Sequence, residues 1–192
     1  MNVDPATLRV LNWPHQALRT RASEVSPITQ NTRDVADRML QLMRDHEGIG
    51  LAAPQVGLSW RLFVAHVPRH EEDEPVDDAP SHTDQPLIAI NPVIASLEGA
   101  PEPFEEGCLS LPEIRGDVRR PPIVTITALD PSSKPFTLRA SGLLARCIQH
   151  EIDHLDATLI IDRFSQITRL KVRGALKDLQ RDFKDAPAQE RA

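Results

Sequence analysis

The sequence predicts an α+β protein in which short antiparallel strands pack around a central helix, with a further helix near each end of the chain. Residues 29–45 and 172–183 carry apolar side chains at the spacing of one helix face. Between them lie short alternating runs of apolar residues, punctuated by many of the chain's 17 prolines. A third helical segment follows these runs, at residues 141–155. This order of elements is typical of an α+β domain.

The composition is that of one globular domain, and we expect a single domain over residues 1–192. Hydrophobic residues make up 40% of the chain and charged residues 26%, which is enough apolar material for one core. The net charge of -6 argues against a general nucleic-acid binder. Residues 1–11 hold no long apolar run, so we expect no signal peptide or membrane span and a cytoplasmic location. Cys108 and Cys147 are expected to be free thiols or a metal ligand.

The first half of the chain is predicted to hold an irregular arm, a helix and strands. Prolines interrupt residues 1–28. Four residues then share one helix face, and Gly48 offers a stop for that helix: Val35, Met39, Leu42 and Met43. Strands are expected at residues 61–67, 87–90 and 93–97, the last two separated by Asn91-Pro92. Residues 68–86, acidic from Glu71 to Asp84, are expected to form a mobile loop.

The second half is predicted to hold a hairpin and two helices. Residues 123–129 are expected to pair with residues 136–140. Ser141 is placed to cap the central helix, and residues 159–161 are expected to form a short strand or turn. The last amphipathic helix has four apolar residues on one face, and residues 187–192 should fray: Val172, Leu176, Leu179 and Phe183.

The run His150-Glu-Ile-Asp-His154 is the densest chemical signal in the chain. On a helix the two histidines lie one turn apart on the same face, where both imidazoles can bind one metal ion. Glu151 then lies beside that ion, where a carboxylate can take a proton from water and pass it to a leaving group. The alternative is a helix that carries two histidines by chance on a buried or solvated face.

A catalytic metal site needs a third protein ligand, and the two cysteines are the candidates. Cys147 is seven residues from His154, about 10 Å along a helix axis, which is too far for a sulfur–metal bond of about 2.3 Å. Cys108 lies far away in sequence, in a segment that can bend toward the helix. We therefore predict a site of Cys108, the two histidines and one water, which suits zinc or ferrous iron. A carboxylate, either Glu106 or Asp153, is expected to orient a ligand.

Three stretches resemble the signature motifs of peptide deformylases, in the same order and at similar separations: Gly48-Ile-Gly-Leu-Ala-Ala-Pro-Gln55, Glu106-Gly-Cys-Leu-Ser110 and Gln149-His-Glu-Ile-Asp-His-Leu155. The similarity covers nearly the whole chain. It implies a small α+β enzyme that removes the formyl group from the N-terminal methionine of new bacterial or organellar polypeptides and releases formate. It also implies one divalent metal ion per chain, usually Fe²⁺, for which Zn²⁺, Ni²⁺ or Co²⁺ can substitute.

The resemblance also implies a role for each motif residue. The implied metal ligands are Cys108, His150 and His154, and the implied acid/base is Glu151. The groups that would hold the formyl oxygen are Gln55 and the backbone N–H of Leu109, and Gly50 would pair with the substrate backbone. The implied methionine pocket consists of Ile49, Leu143, Cys147 and the ring of His150.

Two features bear on how closely the chain follows the family. Ala157 stands where the family usually has glycine, and a left-handed backbone there costs an alanine about 1 kcal/mol. The acidic loop is longer than the common pattern.

The terminal helix is similar to that of a subgroup whose C-terminal helix can contact the ribosome, and the segment is basic: Arg163, Arg169, Lys171, Arg173, Lys177, Arg181 and Lys184. The alternative for this segment is a solvated helix face.

Two other functions fit parts of the pattern. A zinc peptidase could use the same helix, but the common enzymes of that type take a third histidine or glutamate downstream, and no histidine follows His154. A noncatalytic scaffold with a structural metal needs four protein ligands, and the sequence offers no evident fourth. Formate release from a formyl peptide, without cleavage inside the peptide, distinguishes a deformylase from both.

Overall fold

The computed structural model describes residues 2–69 and 76–187. The helices are α1 (Gln30–Asp45), α2 (Gly142–Leu155), α3 (Ile160–Arg163) and α4 (Gln166–Asp185). The strands are β1 (Gly50–Ala52), β2 (Leu62–Ala65), β3 (Leu87–Glu98), β4 (Glu102–Cys108), β5 (Leu111–Arg120), β6 (Ile123–Leu129) and β7 (Pro135–Ser141). Short 3₁₀ turns lie at Pro5–Thr7, Gln16–Arg19 and Ala53–Val56.

An antiparallel sheet of five strands, in the order β1-β2-β3-β6-β7, lies between α1 and α2. Successive side chains of a strand point to opposite faces, and all four residues of β2 are buried. Leu62 and Val64 pack in one cluster with Val35 and other residues of α1. Phe63 and Ala65, on the opposite face, pack in a second cluster with Ile148 and other residues of α2. The sheet therefore holds α2 by apolar packing.

A separate antiparallel hairpin, formed by β4 and β5, packs on the C-terminal helices. Apolar side chains of β5 share a cluster with residues of α3, and three half-buried residues of α4 pack against that cluster: Val172, Leu176 and Leu179. The hairpin is joined to α2 mainly by polar side chains, including Arg146, His150 and Asp153 of the helix. Helix α2 thus contacts the five-stranded sheet through apolar side chains and the β4–β5 hairpin mainly through polar side chains.

The structure corrects the predicted break at Asn91-Pro92. Strand β3 continues through this dipeptide, with a register shift between Ile90 and Val93 and a left-handed backbone at Asn91 (φ 53°). Asparagine tolerates this conformation, and a bulge accommodates a proline that cannot donate a backbone hydrogen bond. The Asn91 side chain exchanges two hydrogen bonds with the backbone of Val25, so the bulge also anchors the N-terminal arm.

Three smaller predictions were also wrong. Helix α1 ends at Asp45 with His46 as its C-cap, and Glu47 rather than Gly48 adopts the left-handed conformation (φ 56°). Leu159 is the N-cap of the short helix α3, which begins at Ile160, so residues 159–161 do not form the expected strand or turn. Ser141 occupies the N-cap position of α2, but its hydroxyl donates to the carbonyl of Ala79 rather than capping the helix.

The predicted hairpin of residues 123–129 and 136–140 is confirmed as β6 and β7.

The described part of the acidic loop is attached to the start of α2. Backbone N–H groups of Ser141 and Leu144 donate to the carbonyls of Pro80 and Ser81, and Arg139 donates to the carbonyl of Asp77. Residues 70–75 and 188–192 lie outside the described residues, so the mobility of the loop and the fraying of the tail stay predictions. Within the described ranges, no helix is both long and apolar enough to cross a membrane.

Ala157 closes helix α2 in the left-handed conformation, with φ 60°. Its N–H donates to the carbonyl of His154, and the N–H of Thr158 donates to the carbonyl of Asp153. This pair of bonds is the Schellman arrangement, which usually places glycine at the left-handed residue. The end of α2 is therefore well capped despite an unfavourable residue.

We expect Ala157→Gly to raise the free energy of unfolding by about 1 kcal/mol, because glycine removes the left-handed strain. Urea denaturation of the two proteins measures the difference. The matched control is Ala175→Gly in the exposed interior of α4, which should lower stability by about 0.5–1 kcal/mol. A loss of stability in both variants would contradict the interpretation.

Candidate metal centre and active site

Three potential metal ligands converge where the β4–β5 hairpin meets α2. Cys108 Sγ lies 3.3 Å from His154 Nε2, and His154 Nε2 lies 3.2 Å from His150 Nε2. All three ligand atoms lie within 4.8 Å of one another. Helix α2 presents the two imidazoles one turn apart, and the register of the hairpin shifts between Gly107 and Cys108, where β4 ends beside the helix. Both cysteines are free thiols.

This cluster fits a divalent metal ion. Metal bonds of about 2.0–2.3 Å in a tetrahedral arrangement separate neighbouring ligand atoms by about 3.3–3.8 Å, close to the two distances observed. A thiolate with two imidazoles suits zinc or ferrous iron. Among the described residues, three offer a ligand atom to this cluster: Cys108, His150 and His154. A tetrahedral ion bound by these three would keep one position for water or substrate.

The surroundings shift the pKa values of the two histidines in opposite directions. Burial and the neighbouring His150 hold the pKa of His154 well below its ordinary value, so this imidazole is neutral and offers a lone pair. Burial also lowers the pKa of His150, but hydrogen bonds with Cys108 and Glu106 outweigh burial and raise the pKa to about 10. The surroundings of His150 therefore favour a positive charge, which a bound cation would supply.

Glu106 is the carboxylate that orients His150. Its Oε2 lies 3.0 Å from His150 Nδ1, which directs Nε2 of the ring toward Cys108 and His154. Burial raises the pKa of Glu106, but hydrogen bonds from His150 and Arg120 outweigh burial and lower the pKa to about 2. The sequence left Glu106 and Asp153 open for this role, and the structure places Asp153 instead against Arg120 and Arg163.

Glu151 is buried next to the cluster and has the properties of a proton carrier. Its Oε2 is buried and has no hydrogen-bond partner among the described residues. Burial raises the pKa of Glu151 to about 7, against the opposing charge of His150. A Cβ atom on Gly50 would lie 2.3 Å from Glu151 Oε1, so the carboxylate occupies space that only glycine leaves open.

The side-chain amide of Gln55 has a fixed orientation beside the cluster. Its Oε1 accepts a hydrogen bond of 2.8 Å from the N–H of Ala52, so the NH₂ group faces the other way. Nε2 lies 3.2 Å from Ser110 Oγ and 3.6 Å from Cys108 Sγ. A buried donor is thus held within reach of a group bound at the metal cluster. The side chain of Leu109 packs closely against Gly48.

A cleft of about 690 Å³ opens above the cluster. Of the residues singled out in the sequence, His154 lies buried beneath the cleft and the others line it: Ile49, Gly50, Gln55, Cys108, Leu109, Leu143, Cys147, His150 and Glu151. Cys147 Sγ lies 3.5 Å from the carbonyl of Ile49, outside the ligand cluster. Burial raises the pKa of the Cys147 thiol well above its usual value, so this side chain acts as an uncharged wall.

Two arginines around Glu106 were not predicted from the sequence. Arg120 is buried and donates to Glu106 at 2.7 and 2.9 Å and to Asp153 at 2.8 Å. Arg146 donates to Glu106 at 2.9 Å. One signal for Arg120 was available, because it follows Val118 by two residues and therefore shares the buried face of a strand. Nothing in the local sequence distinguishes Arg146 from a surface arginine.

Comparison with known proteins extends these observations. The family model for polypeptide deformylase matches residues 7–170. A peptide deformylase of Chromohalobacter salexigens is 39% identical over 181 residues, which cover 94% of this chain and 99% of the relative. Peptide deformylase 2 of Gloeobacter violaceus is 45% identical over 148 residues, 77% of this chain and 74% of the relative.

A solved structure agrees with both sequence matches. The crystal structure of a peptide deformylase from Plasmodium falciparum superposes with a TM-score of 0.83 at 35% identity, covering 93% of this chain and 98% of that chain. The comparisons confirm the predicted α+β fold, the resemblance seen in the three motifs and the enzyme class that it implied. The chain belongs to the polypeptide deformylase family.

Proposed function

We propose that this chain is a metal-dependent hydrolase that removes the formyl group from the N-terminal methionine of formylated polypeptides and releases formate. The observation that carries the proposal is the convergence of Cys108 Sγ with the Nε2 atoms of His150 and His154 at a cleft that also contains Glu151 and Gln55. Family membership supports the reaction, and the donor set supports a metal. Fe²⁺ is proposed as the native ion, with Zn²⁺, Ni²⁺ or Co²⁺ as substitutes.

Each group of residues around the cluster has its own role in hydrolysis of the formyl group. A divalent ion held by Cys108, His150 and His154 would supply Lewis-acid activation of water and of the formyl oxygen. Glu151 takes the proton from the attacking water and returns it to the departing amine, a role suited to a pKa of about 7. Gln55 Nε2 and the N–H of Leu109 donate to the oxyanion that develops on the formyl group.

The shape of the cleft supports a peptide substrate that begins with methionine. Strand β1 is an edge strand of the five-stranded sheet, so the backbone at Gly50 is available to pair with an extended peptide. Three apolar or uncharged side chains line the same cleft: Ile49, Leu143 and Cys147. They would accept the flexible thioether of methionine, with the ring of His150 as a further wall.

We expect Glu151→Gln to reduce formate release by about 10²-fold or more while the protein keeps its metal, because the amide cannot accept the proton. A formate-release assay and metal analysis of the same preparation measure the two effects. Glu105→Gln is the matched control, since Glu105 lines the cleft but is exposed, and it should keep full activity. Appreciable turnover by Glu151→Gln would point to a different base.

We expect Gln55→Ala to retain the metal and to lower kcat by about 10²- to 10³-fold, the usual cost of losing one oxyanion donor. Steady-state kinetics with a formyl-Met peptide, alongside metal analysis, test this. Normal kcat in a variant with normal metal content would remove Gln55 from the mechanism.

We further propose that α4 contacts the ribosome, which would bring the enzyme to its nascent substrates. Three exposed cations lie on one side of this helix, away from the half-buried residues that attach it: Arg173, Lys177 and Lys184. Such a basic surface suits ribosomal RNA, whose phosphates attract lysine and arginine. Most of α4 lies beyond residue 170, where the family match ends.

We expect the triple variant Arg173→Gln, Lys177→Gln, Lys184→Gln to lose cosedimentation with ribosomes, because it removes cations without disturbing the packed side of α4. The control is the double variant Asp178→Asn, Asp182→Asn on the same helix, which should pellet at least as well as the parent. Unchanged pelleting of the triple variant would refute the ribosome contact.

A further inference from the structure

The metal ligands come from two parts of the molecule that are joined by polar side chains. Helix α2, with His150 and His154, is packed on the five-stranded sheet, whereas the hairpin that carries Cys108 is packed on α3 and α4. Long side chains connect the two parts, including the Gln149 amide, which donates to the carbonyl of Pro121 at 2.9 Å. The position of Cys108 relative to the histidines therefore depends on these connections.

Arg146 makes the most extensive of these connections. Its Nη1 donates to Glu106 Oε1 at 2.9 Å and to the carbonyl of Val118 at 3.0 Å, and its Nη2 donates to the carbonyl of Glu102 at 3.1 Å. These acceptors lie on both strands of the hairpin. The guanidinium also lies over the ring of Phe104, 5.1 Å from its centroid. A planar group with several donors suits this arrangement, and the single ammonium of lysine does not.

The contacts of Arg146 differ from those of the neighbouring Arg120. Arg120 of β5 also binds Glu106, and its remaining hydrogen bond joins β5 to the side chain of Asp153 in α2. Arg146 instead binds the backbone of the hairpin at Glu102 and Val118. The side chain of Arg146 is only 12% exposed. If the guanidinium were removed, water would have little access to the acceptors that it leaves without a donor. Without Arg146, Arg120 would still hold Glu106 and join β5 to Asp153 of α2. The three bonds from Arg146 to Glu106 and to the backbone of both strands would be lost.

We propose that Arg146 is a positioning residue that clamps the β4–β5 hairpin to α2 and thereby holds Cys108 at bonding distance from a metal ion shared with His150 and His154. This inference rests on the metal centre proposed above. It assigns to Arg146 control over how long the metal is retained. Residues that support metal ligands in this indirect way typically change metal affinity by about 10- to 100-fold when removed.

The test compares zinc release from zinc-loaded protein to a chromogenic chelator. Arg146→Met keeps a long side chain over Phe104 but has no donors, and we expect it to release zinc about tenfold faster than the parent. Arg146→Lys keeps the charge but not the planar fork, and it should release zinc at an intermediate rate. Arg115→Met is the matched control, because Arg115 lines the cleft but is exposed and paired with Glu105, and its release rate should equal that of the parent.

Cobalt-loaded protein gives a second readout, because the absorption band from sulfur to cobalt reports directly on the Cys108 bond. We expect this band to weaken or shift in Arg146→Met and to be unchanged in Arg115→Met. Parental zinc release together with a parental cobalt band would overturn the proposal, even if the KM for peptide rises. If Arg146→Met does not fold, Arg146→Lys decides by the same two measurements. A parent chain that binds no zinc or cobalt would overturn the metal centre itself.

Discussion

The arrangement of the site depends on one buried cation between two carboxylates. Arg120 lies between Glu106 and Asp153, and it connects β5 to β4 and to α2. Burying these charges is costly, and the cost is offset because each guanidinium nitrogen donates to a carboxylate oxygen. The same geometry places Glu106 against His150 Nδ1, so an interaction that joins two parts of the fold also sets the direction of an imidazole in the candidate metal centre.

The sequence predicted the histidine pair from its local spacing and Cys108 as the third ligand, but it gave no prediction for Arg120 and Arg146, whose roles depend on distant contacts. The spacing of the two histidines on α2 predicts that both can bind one ion. The distance of Cys147 from His154 along the helix excludes Cys147 as a third ligand. The β4–β5 hairpin was not predicted because four of the seven residues of β4 are exposed and the strand has no apolar alternation. In the sequence Arg120 and Arg146 resemble surface charges, and Glu106 could not be distinguished from Asp153, because the contacts among these four groups form only on folding.

The errors in the predicted elements have similar causes. Asparagine and proline at positions 91 and 92 are strong signals for the end of a strand, yet in the folded protein the Asn91 side chain binds the N-terminal arm at Val25. Ser141 has the right residue type for a helix cap, but the nearby carbonyl of Ala79 takes its hydroxyl hydrogen. In both cases a contact with a segment remote in sequence outweighed the local preference.

Helix α4 differs from α1 and α2 in having no fully buried side chain. Its attachment through half-buried residues leaves most of its 20 positions free of steric constraint from the body of the protein. Substitutions on the outer side of this helix therefore carry little penalty for folding or for the cleft. Evolution can remodel this surface for a new cellular context while the chemistry of the enzyme stays unchanged.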